Sequence, residues 1–206
     1  MNVLVVCAVA QELAALPARA GVDVVAVGVG PVEAAAGTAR ALAGKRYRAV
    51  VNAGIGGGFR DRCAVGDAVI VDVEHYVELG LEDGSAFALP GGLALARTAD
   101  ADAVLLAAAR ARLARARVLT GVTSATVTSS DARAAALGAR YGAGVESMEG
   151  FAVLRAAIDA GVPAIELRGV SNVVGDRATN QWNFRAGAAA AAATTATLLD
   201  VLQTDT

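Results

Sequence analysis

The stretch RAVVNAGIGGGF, residues 48–59, runs from a short apolar segment into a glycine-rich one. Residues 48–52 predict a β-strand buried on both faces, because a short continuous apolar run is typical of strands in parallel sheets. We predict that residues 53–59 form a loop at the carboxyl end of this strand, where open α/β sheets bind ligands. The loop glycines have two equal explanations: a tight turn with positive φ angles, or a close approach of the backbone to a ligand. They are Gly54, Gly56, Gly57 and Gly58.

Apolar strands of the same kind recur on both sides of this stretch and alternate with helical segments. Strands are predicted at residues 2–8, 23–28, 65–73, 117–124 and 163–171, and helices at residues 32–43, 100–115, 131–142, 149–159 and 185–202. A polar stretch follows residue 73 and continues to about Gly92. This alternation predicts the α/β class, with a mainly parallel, mixed central sheet flanked by helices in a single domain over residues 1–206.

The composition excludes several classes of function. The chain has 206 residues, a net charge of −2 and 55% hydrophobic residues, so it is globular and has no basic surface for nucleic acid or an anionic membrane. One histidine and two cysteines are too few for a disulfide framework or a dedicated zinc site, and we expect neither a metal ion nor another cofactor. The first twelve residues lack a basic region and predict a strand, not a signal peptide. We therefore expect a cytoplasmic protein.

The glycine-rich segments do not match the nucleotide-binding motifs. A dinucleotide fingerprint needs a third glycine three positions after the second. After Gly28 and Gly30 that position holds Glu33, and in the second segment it holds Phe59. The P-loop pattern is also absent from the sequence, so a Rossmann or nucleoside triphosphate site is disfavoured.

Four segments, taken in order, resemble the purine nucleoside phosphorylase/nucleosidase superfamily. They are the opening strand with Gln11-Glu12, then residues 28–42 (GVGPVEAAAGTARAL) continuing into 50–59 and 65–72, then 146–153 (ESMEGFAV), and finally 168–177 (RGVSNVVGDR). The resemblance extends from residue 1 to about residue 185 and is poor between about 80 and 140. In the last segment Asn172 follows Ser171, and in this the chain resembles the futalosine hydrolases. The methylthioadenosine/S-adenosylhomocysteine nucleosidases carry Asp at that position.

This resemblance implies an N-ribosidic hydrolase. The reaction would be the hydrolysis of futalosine to hypoxanthine and dehypoxanthine futalosine, a step of menaquinone biosynthesis. The partner would be a small-molecule purine nucleoside, bound by a homo-oligomer, either a dimer or a tetramer.

The resemblance also implies roles for residues near the sugar. Glu12 would hold the attacking water, and Arg168, in an apolar strand, would order Glu12 or that water; the alternative for Arg168 is a structural ion pair with Glu166. Glu149 lies at the start of a helix, where its carboxylate would accept hydrogen bonds from ribose hydroxyls. The alternative is that it only interacts favourably with the helix dipole. Met148 offers the sugar an apolar face.

Asn172 bears most on the choice of base. A neutral amide can donate to N7 or O6 of a 6-oxopurine and still offer an acceptor, so Asn172 favours hypoxanthine as the leaving group. Gly56 and Ser171 are expected to bind substrate beside it. Trp182 either stacks on the purine or packs on the last helix. The segment SATVTSSD, residues 124–131, lacks the aromatic residue that nucleosidases place over adenine.

Other assignments stay open at this point. Arg60, Arg177 and Arg185 are equal candidates for binding a carboxylate on the substrate tail, and His75 faces either the cleft or the surface. A phosphorylase would need clustered basic residues, for which Arg60 and Arg62 are available. The remaining alternatives are a methylthioadenosine/S-adenosylhomocysteine-type nucleosidase and a purine-binding protein without catalytic activity.

Overall fold

A mixed β-sheet flanked by α-helices forms the part of the chain that the computed structural model describes, residues 2–81, 89–92 and 94–204. The strands are β1 (Asn2–Cys7), β2 (Val22–Ala26), β3 (Tyr47–Gly58), β4 (Ala68–Tyr76), β5 (Thr98–Asp100), β6 (Arg117–Thr123), β7 (Val145–Ser147) and β8 (Ala164–Val173). The α-helices are α1 (Pro31–Gly44), α2 (Ala103–Arg112), α3 (Asp131–Tyr141), α4 (Gly150–Asp159) and α5 (Phe184–Thr204), and short 3₁₀ helices span Ala10–Leu13 and Pro90–Gly92. Part of the predicted polar stretch, residues 82–88, lies outside the described residues.

The strand pairing confirms the predicted fold class. The sheet runs in the order β2-β1-β3-β7-β6-β4-β5, and β8 pairs with both β3 and β4. The β1–β2, β1–β3, β3–β8, β4–β6 and β6–β7 pairs are parallel, whereas β3–β7, β4–β5 and β4–β8 are antiparallel. The pairs β3–β8–β4–β6–β7–β3 therefore close into a ring, from which β1 and β2 extend.

The first strand is buried on both faces, which explains its continuous apolar sequence. Val3, Val5 and Cys7 of β1 pack in a core cluster with α2 and α5, whereas Leu4 and Val6 pack in a second cluster with α1 and α4. Successive side chains of a strand point to opposite faces, so a strand between two helical layers needs apolar residues at every position.

The predicted loop at residues 53–59 is wrong, because β3 continues through it to Gly58. Gly54 to Gly58 pair with Arg168 to Val173 of β8, and none of the β3 glycines has a positive φ. What they avoid is steric overlap: a methyl group built on Gly54 would lie 2.6 Å from Glu12 Oε1 and 2.8 Å from Arg168 Nη1. Glycine is therefore needed here because side chains from other elements approach the β3 backbone closely.

The helix boundaries follow the capping residues. The helix predicted from Asp100 begins only at Ala103, because the Asp102 carboxylate accepts the Val104 and Leu105 N–H groups, at 3.0 Å each, and Asp100 belongs to β5. The predicted start of α3 is confirmed: the Ser130 hydroxyl accepts the Arg133 N–H. Its predicted end near Gly142 is confirmed as well, with that glycine at φ 64°.

The last helix packs against β8 almost backbone to backbone. A methyl group built on Gly169 would overlap the Gly187 carbonyl group and lie 2.7 Å from the Ala191 nitrogen. The alanine-rich sequence of α5 thus allows it to lie close to the strand that carries Arg168. In the described ranges, none of the helices combines the length and the apolar character that crossing a membrane requires.

We expect Gly169→Ala to lower the free energy of unfolding by about 1–3 kcal/mol or more, because the new methyl group forces α5 away from β8. Urea unfolding followed by circular dichroism measures this change. Gly44→Ala is the matched control, because its methyl group meets no atom within 4 Å. Equal stability of the two variants would show that α5 can move aside without loss of packing.

Candidate active site

A cavity of about 190 Å³ opens at the carboxyl ends of β1, β3, β7 and β8. This is the edge of the sheet at which α/β proteins bind ligands. Its lining residues are Ala8, Val9, Glu12, Val29, Ile55, Gly56, Gly57, Val127, Glu146, Ser147, Met148, Glu149, Ser171, Asn172, Trp182 and Phe184.

The structure brings most of the predicted site residues together around this cavity. Those that line it are Glu12, Gly56, Met148, Glu149, Ser171, Asn172 and Trp182. Arg168 lies beneath it, with 1% of its surface exposed, and reaches the cavity only through its neighbours.

Glu12 is held by backbone N–H groups from two strand ends. Its Oε2 accepts from Ala8 N at 2.9 Å and Val9 N at 3.1 Å, and its Oε1 accepts from Ile55 N at 2.9 Å. A carboxylate has about four lone-pair positions, so one remains for a further donor. The fixed carboxylate can therefore accept one hydrogen bond from a molecule in the cavity.

Arg168 connects the carboxylates of the site. Its Nε donates to Glu166 Oε1 at 2.7 Å, its Nη1 donates to the Ile55 carbonyl at 3.1 Å, and the same Nη1 lies 3.6 Å from Glu149 Oε2. The N–H of Ile55 donates to Glu12, so the two polar backbone groups of this residue bind Glu12 and Arg168. The ion pair with Glu166 therefore exists, whereas Arg168 is connected to Glu12 only through the backbone of Ile55.

Glu149 lies immediately before α4 and faces the cavity. Its Oε1 accepts from Gly30 N at 3.0 Å, which places the turn before α1 at the same site. Burial raises the pKa of Glu149, while Arg168 and the Gly30 N–H oppose this shift by stabilising the charged form. The side chain is buried and retains lone pairs for hydroxyl donors.

A second pair of carboxyl groups lies behind Arg168. Glu74 is fully buried and its Oε2 accepts from the Thr123 hydroxyl at 2.8 Å. A methyl group built on Gly150 would overlap both Glu74 Oε1 and Glu166 Oε2, and neither oxygen has a hydrogen-bond partner among the described residues. Burial and the adjacent Glu166 carboxylate raise the pKa of Glu74 well above its usual range. A proton on Glu74 can bond to Glu166 and satisfies both oxygens.

Asn172 lies at the other end of the cavity and keeps one N–H free for a ligand. Its Nδ2 donates to the Val173 carbonyl at 3.2 Å, and its Oδ1 lies 2.8 Å from the Ser171 hydroxyl. An amide carries two N–H donors, so the second can point to a ligand. Among the described residues, its hydrogen bonds are to the Ser171 hydroxyl and the Val173 carbonyl, which are both uncharged.

The structure adds a third cavity carboxylate that the sequence analysis passed over. Glu146, on β7, accepts from Thr128 N at 3.1 Å and from the Thr128 hydroxyl. Burial raises the pKa of Glu146, and the two bonds from Thr128 oppose that shift. The segment ESMEGFAV does contain two glutamates, but β7 is only three residues long and gives no strand pattern to orient the first of them.

Trp182, in the loop before α5, and Phe184, the first residue of α5, line the cavity, although Trp182 remains 44% exposed. The Arg177 guanidinium lies over the Trp182 ring, 4.6 Å from its centroid. Val127, from the segment without an aromatic residue, also lines the cavity.

Other candidates lie elsewhere. His75 is on β4, with its ring 5.1 Å from that of Tyr141, and does not line the cavity. Arg60 and Arg62 line a different cavity, between Phe59 and α3.

Known proteins are similar to this chain in sequence. The family model described as the phosphorylase superfamily matches residues 3–202. Futalosine hydrolase from Streptomyces coelicolor is 44% identical over 182 residues, 85% of this chain and 77% of the relative. Futalosine hydrolase from Thermus thermophilus is 33% identical over 162 residues, 77% of this chain and 72% of the relative.

Solved structures resemble the fold at lower identity. A methylthioadenosine/S-adenosylhomocysteine nucleosidase from Colwellia psychrerythraea, in complex with adenine, has a TM-score of 0.82 and 22% identity, covering 98% of this chain and 96% of its own. The Streptococcus pneumoniae nucleosidase with 8-aminoadenine has a TM-score of 0.81 and 20% identity, over 98% of this chain and 100% of its own.

We expect Glu74→Gln to flatten the dependence of stability on pH. The folded chain holds a proton on Glu74 that the unfolded chain releases above pH 4.5, so this group makes stability fall as pH rises toward its raised pKa. The amide is neutral at every pH, so that loss should disappear at the pH values above 4.5 where wild type shows it. Urea unfolding across this range measures the change.

Exposed Glu33→Gln is the control and should keep the wild-type slope. Parallel curves for wild type and Glu74→Gln would show that Glu74 is ionised in the folded protein.

Proposed function

Because the chain belongs to the phosphorylase superfamily and, within it, to the futalosine hydrolases, we propose that it hydrolyses the N-ribosidic bond of futalosine. It is then an N-glycosyl hydrolase of a small-molecule purine nucleoside, releasing hypoxanthine and dehypoxanthine futalosine for menaquinone biosynthesis. The observation that carries this proposal is the convergence of Glu12, Glu149 and Asn172 on one cavity. The sequence resemblance further supports a cytoplasmic homo-oligomer, a dimer or a tetramer.

Glu12 is proposed to hold the attacking water. The bond between C1′ and N9 breaks, its electron pair leaves with the base, and the water oxygen bonds to C1′ while one water proton passes to the Glu12 carboxylate. Three backbone donors prevent this side chain from rotating away, so its remaining lone pair keeps one direction. Arg168 supports this arrangement as a positioning residue through Ile55.

Glu149 is proposed to accept hydrogen bonds from the ribose hydroxyls, and Met148 is proposed to pack against the sugar. Hydroxyl–carboxylate bonds are charge-assisted and strengthen when the sugar ring becomes cationic, so they stabilise the transition state more than the ground state. The proximity of Glu149 to Arg168 and Glu12 supports a role for this acceptor at the sugar.

Asn172 is proposed to donate its free N–H to N7 or O6 of the departing hypoxanthine. This bond stabilises negative charge on the leaving base without a formal proton transfer from the side chain. Ser171 orients the amide, because its hydroxyl lies next to Asn172 Oδ1.

The aromatic carboxylate tail of futalosine is proposed to extend toward Trp182 and Arg177. The guanidinium face stacks on the Trp182 ring, so its edge can donate to a carboxylate. Of the three arginines considered, Arg177 is thereby placed beside a residue that lines the cavity.

The alternatives receive less support from the same cavity. Its lining includes no Arg or Lys among the described residues, whereas phosphate binding by a phosphorylase needs a basic cluster. A 6-aminopurine nucleosidase is disfavoured by the neutral amide of Asn172, whose Oδ1 already lies against Ser171.

A product assay tests the proposal. We expect wild-type protein, incubated with futalosine, inosine or methylthioadenosine without phosphate, to release hypoxanthine from futalosine fastest, because Asn172 matches a 6-oxopurine. Chromatography identifies the free base. Faster adenine release from methylthioadenosine, or a requirement for phosphate, would overturn the assignment.

We expect Glu149→Gln to lower kcat by about a hundredfold or more, because the amide is a weaker acceptor for the ribose hydroxyls. In wild type, burial raises the pKa of Glu149, so activity should fall on acidification while pH is still above 4.5, as the carboxylate becomes protonated. The pH profile of kcat/KM measures both effects. A folded variant with unchanged turnover removes Glu149 from the site.

A further inference from the structure

A bulge in β4 places the buried carboxyl group of Glu74 behind the active site. Leu119 of β6 pairs with Val71 of β4. Two residues further along β6, Gly121 pairs with Glu74, which is three residues further along β4. In a regular strand pair Val73 would lie opposite Gly121, so the bulge turns Glu74 to the face that Val73 would occupy. A methyl group built on Gly121 would overlap Glu74 Oε1, and glycine at this position therefore makes room for the acid.

The hydrogen bonds around Thr123 show which oxygen of Glu74 can carry a proton. The Phe151 N–H donates to the Thr123 hydroxyl oxygen at 2.7 Å, so the hydroxyl proton is left to donate to Glu74 Oε2 at 2.8 Å. Oε2 is therefore an acceptor. Glu74 Oε1 and Glu166 Oε2 both lie against Gly150, without a donor among the described residues. Two ionised carboxylates have only acceptors, so a proton on Glu74 Oε1 is what satisfies both oxygens.

These bonds continue through β8 and return to the start of α4. Glu166 Oε1 accepts from Arg168 Nε at 2.7 Å, and Arg168 Nη1 lies 3.6 Å from Glu149 Oε2. Glu149 immediately precedes α4, and Phe151 is the second residue of that helix. The contacts therefore close into a hydrogen-bond ring, which runs from Phe151 through Thr123, Glu74, Glu166 and Arg168 to Glu149.

The charged groups that face Glu74 come from β8. Burial and the Glu166 carboxylate raise the pKa of Glu74, whereas the Thr123 hydroxyl and the Arg168 guanidinium oppose this shift. From β6 the Thr123 hydroxyl faces the acid, and from α4 the backbone of Gly150 does so. Because Arg168 is bound to Glu166, the proton between the two carboxyl groups is placed on Glu74.

We propose that Glu74, in its protonated form, is a positioning residue that fixes Arg168 relative to Glu149. This inference rests on the proposed function for the role of Glu149 at the ribose. Loss of the proton would set two carboxylates against each other and break the hydrogen-bond ring at its acid. Turnover should therefore fall as pH rises toward the raised pKa of Glu74.

The test compares Glu74→Met with Glu74→Gln in the hydrolysis of futalosine. Methionine removes both bonds of the acid, so kcat should fall about tenfold or more, and KM should change less because bonds to the ribose strengthen in the transition state. Glutamine imitates the protonated acid: its NH₂ donates to Glu166 and its oxygen accepts from Thr123, so it should restore kcat to within about threefold of wild type. It should also remove the loss of turnover at high pH, because the amide has no proton to lose.

Wild-type kcat in Glu74→Met, or an alkaline loss in Glu74→Gln equal to that of wild type, would overturn the positioning role.

A second pair of variants keeps the test decisive where Glu74→Met does not fold. Thr123→Val preserves the shape of the side chain and removes the hydroxyl between Phe151 and Glu74, so kcat should fall about threefold or more. Thr38→Val is the matched control, because Thr38 is also buried and its hydroxyl has no partner among the described residues. Equal kcat values for these two variants would show that the hydrogen-bond ring does not position the site.

Infrared spectroscopy separates this inference from the proposed function, because it needs no substrate. Wild-type protein at neutral pH should show the carbonyl band of a protonated carboxylic acid, and Glu74→Gln should lack that band. Hydrolysis of futalosine by wild type without the band would overturn the role of Glu74 and keep the hydrolase. The band without hydrolysis of futalosine would refute the hydrolase and keep the protonated acid that the hydrogen-bond ring requires.

Discussion

The buried guanidinium of Arg168 is the interaction on which the site depends. Burial opposes its charge, but the carboxylates of Glu166, Glu149 and Glu12 outweigh that effect and raise the pKa of Arg168. The dependence is mutual, because buried carboxylates without a cation would repel one another and take up protons. One positive charge thus offsets the negative charge of the carboxylates around it. Burial and the Glu166 carboxylate favour the protonated form of Glu74, which lowers the negative charge that Arg168 must balance.

This charged layer needs glycine in the strand and the helix that pack against it, at Gly54 of β3 and Gly150 of α4. A methyl group on Gly54 would meet Glu12 and Arg168, and one on Gly150 would lie 2.5 Å from Glu74 Oε1. Glycine at these positions brings the backbone N–H and C=O groups of β3 within hydrogen-bonding distance of buried charges. Ile55 shows this effect, because its N–H donates to Glu12 and its carbonyl accepts from Arg168. The glycine-rich sequence of β3 is therefore explained by the groups that pack over it.

The helices and strands that could be predicted are those whose sequence signals lie within a few neighbouring residues. The double burial of β1, the capping by Ser130 and the ending at Gly142 follow from residues within one turn or one strand. The extension of β3 through Gly54 to Gly58 could not be predicted in this way, because glycine favours strand pairing only when a partner strand and bulky neighbours are present. The three-residue strands β5 and β7 carry no periodic pattern at all. Glu146 was missed for the same reason, since its direction is set by pairing with Gly57.

The charged cluster around Arg168 and the uncharged amide of Asn172 form different parts of the site. The Colwellia nucleosidase in complex with adenine shares the fold with a TM-score of 0.82, although only 22% of the residues are identical. The backbone geometry is therefore shared where most of the side chains differ. In this chain Arg168 lies 3.6 Å from Glu149 Oε2, whereas Asn172 and Glu146 both pair with Gly57 in the strand ladder. A substitution at either of these two positions changes the donors and acceptors that face the cavity and leaves the carboxylates around Arg168 in place.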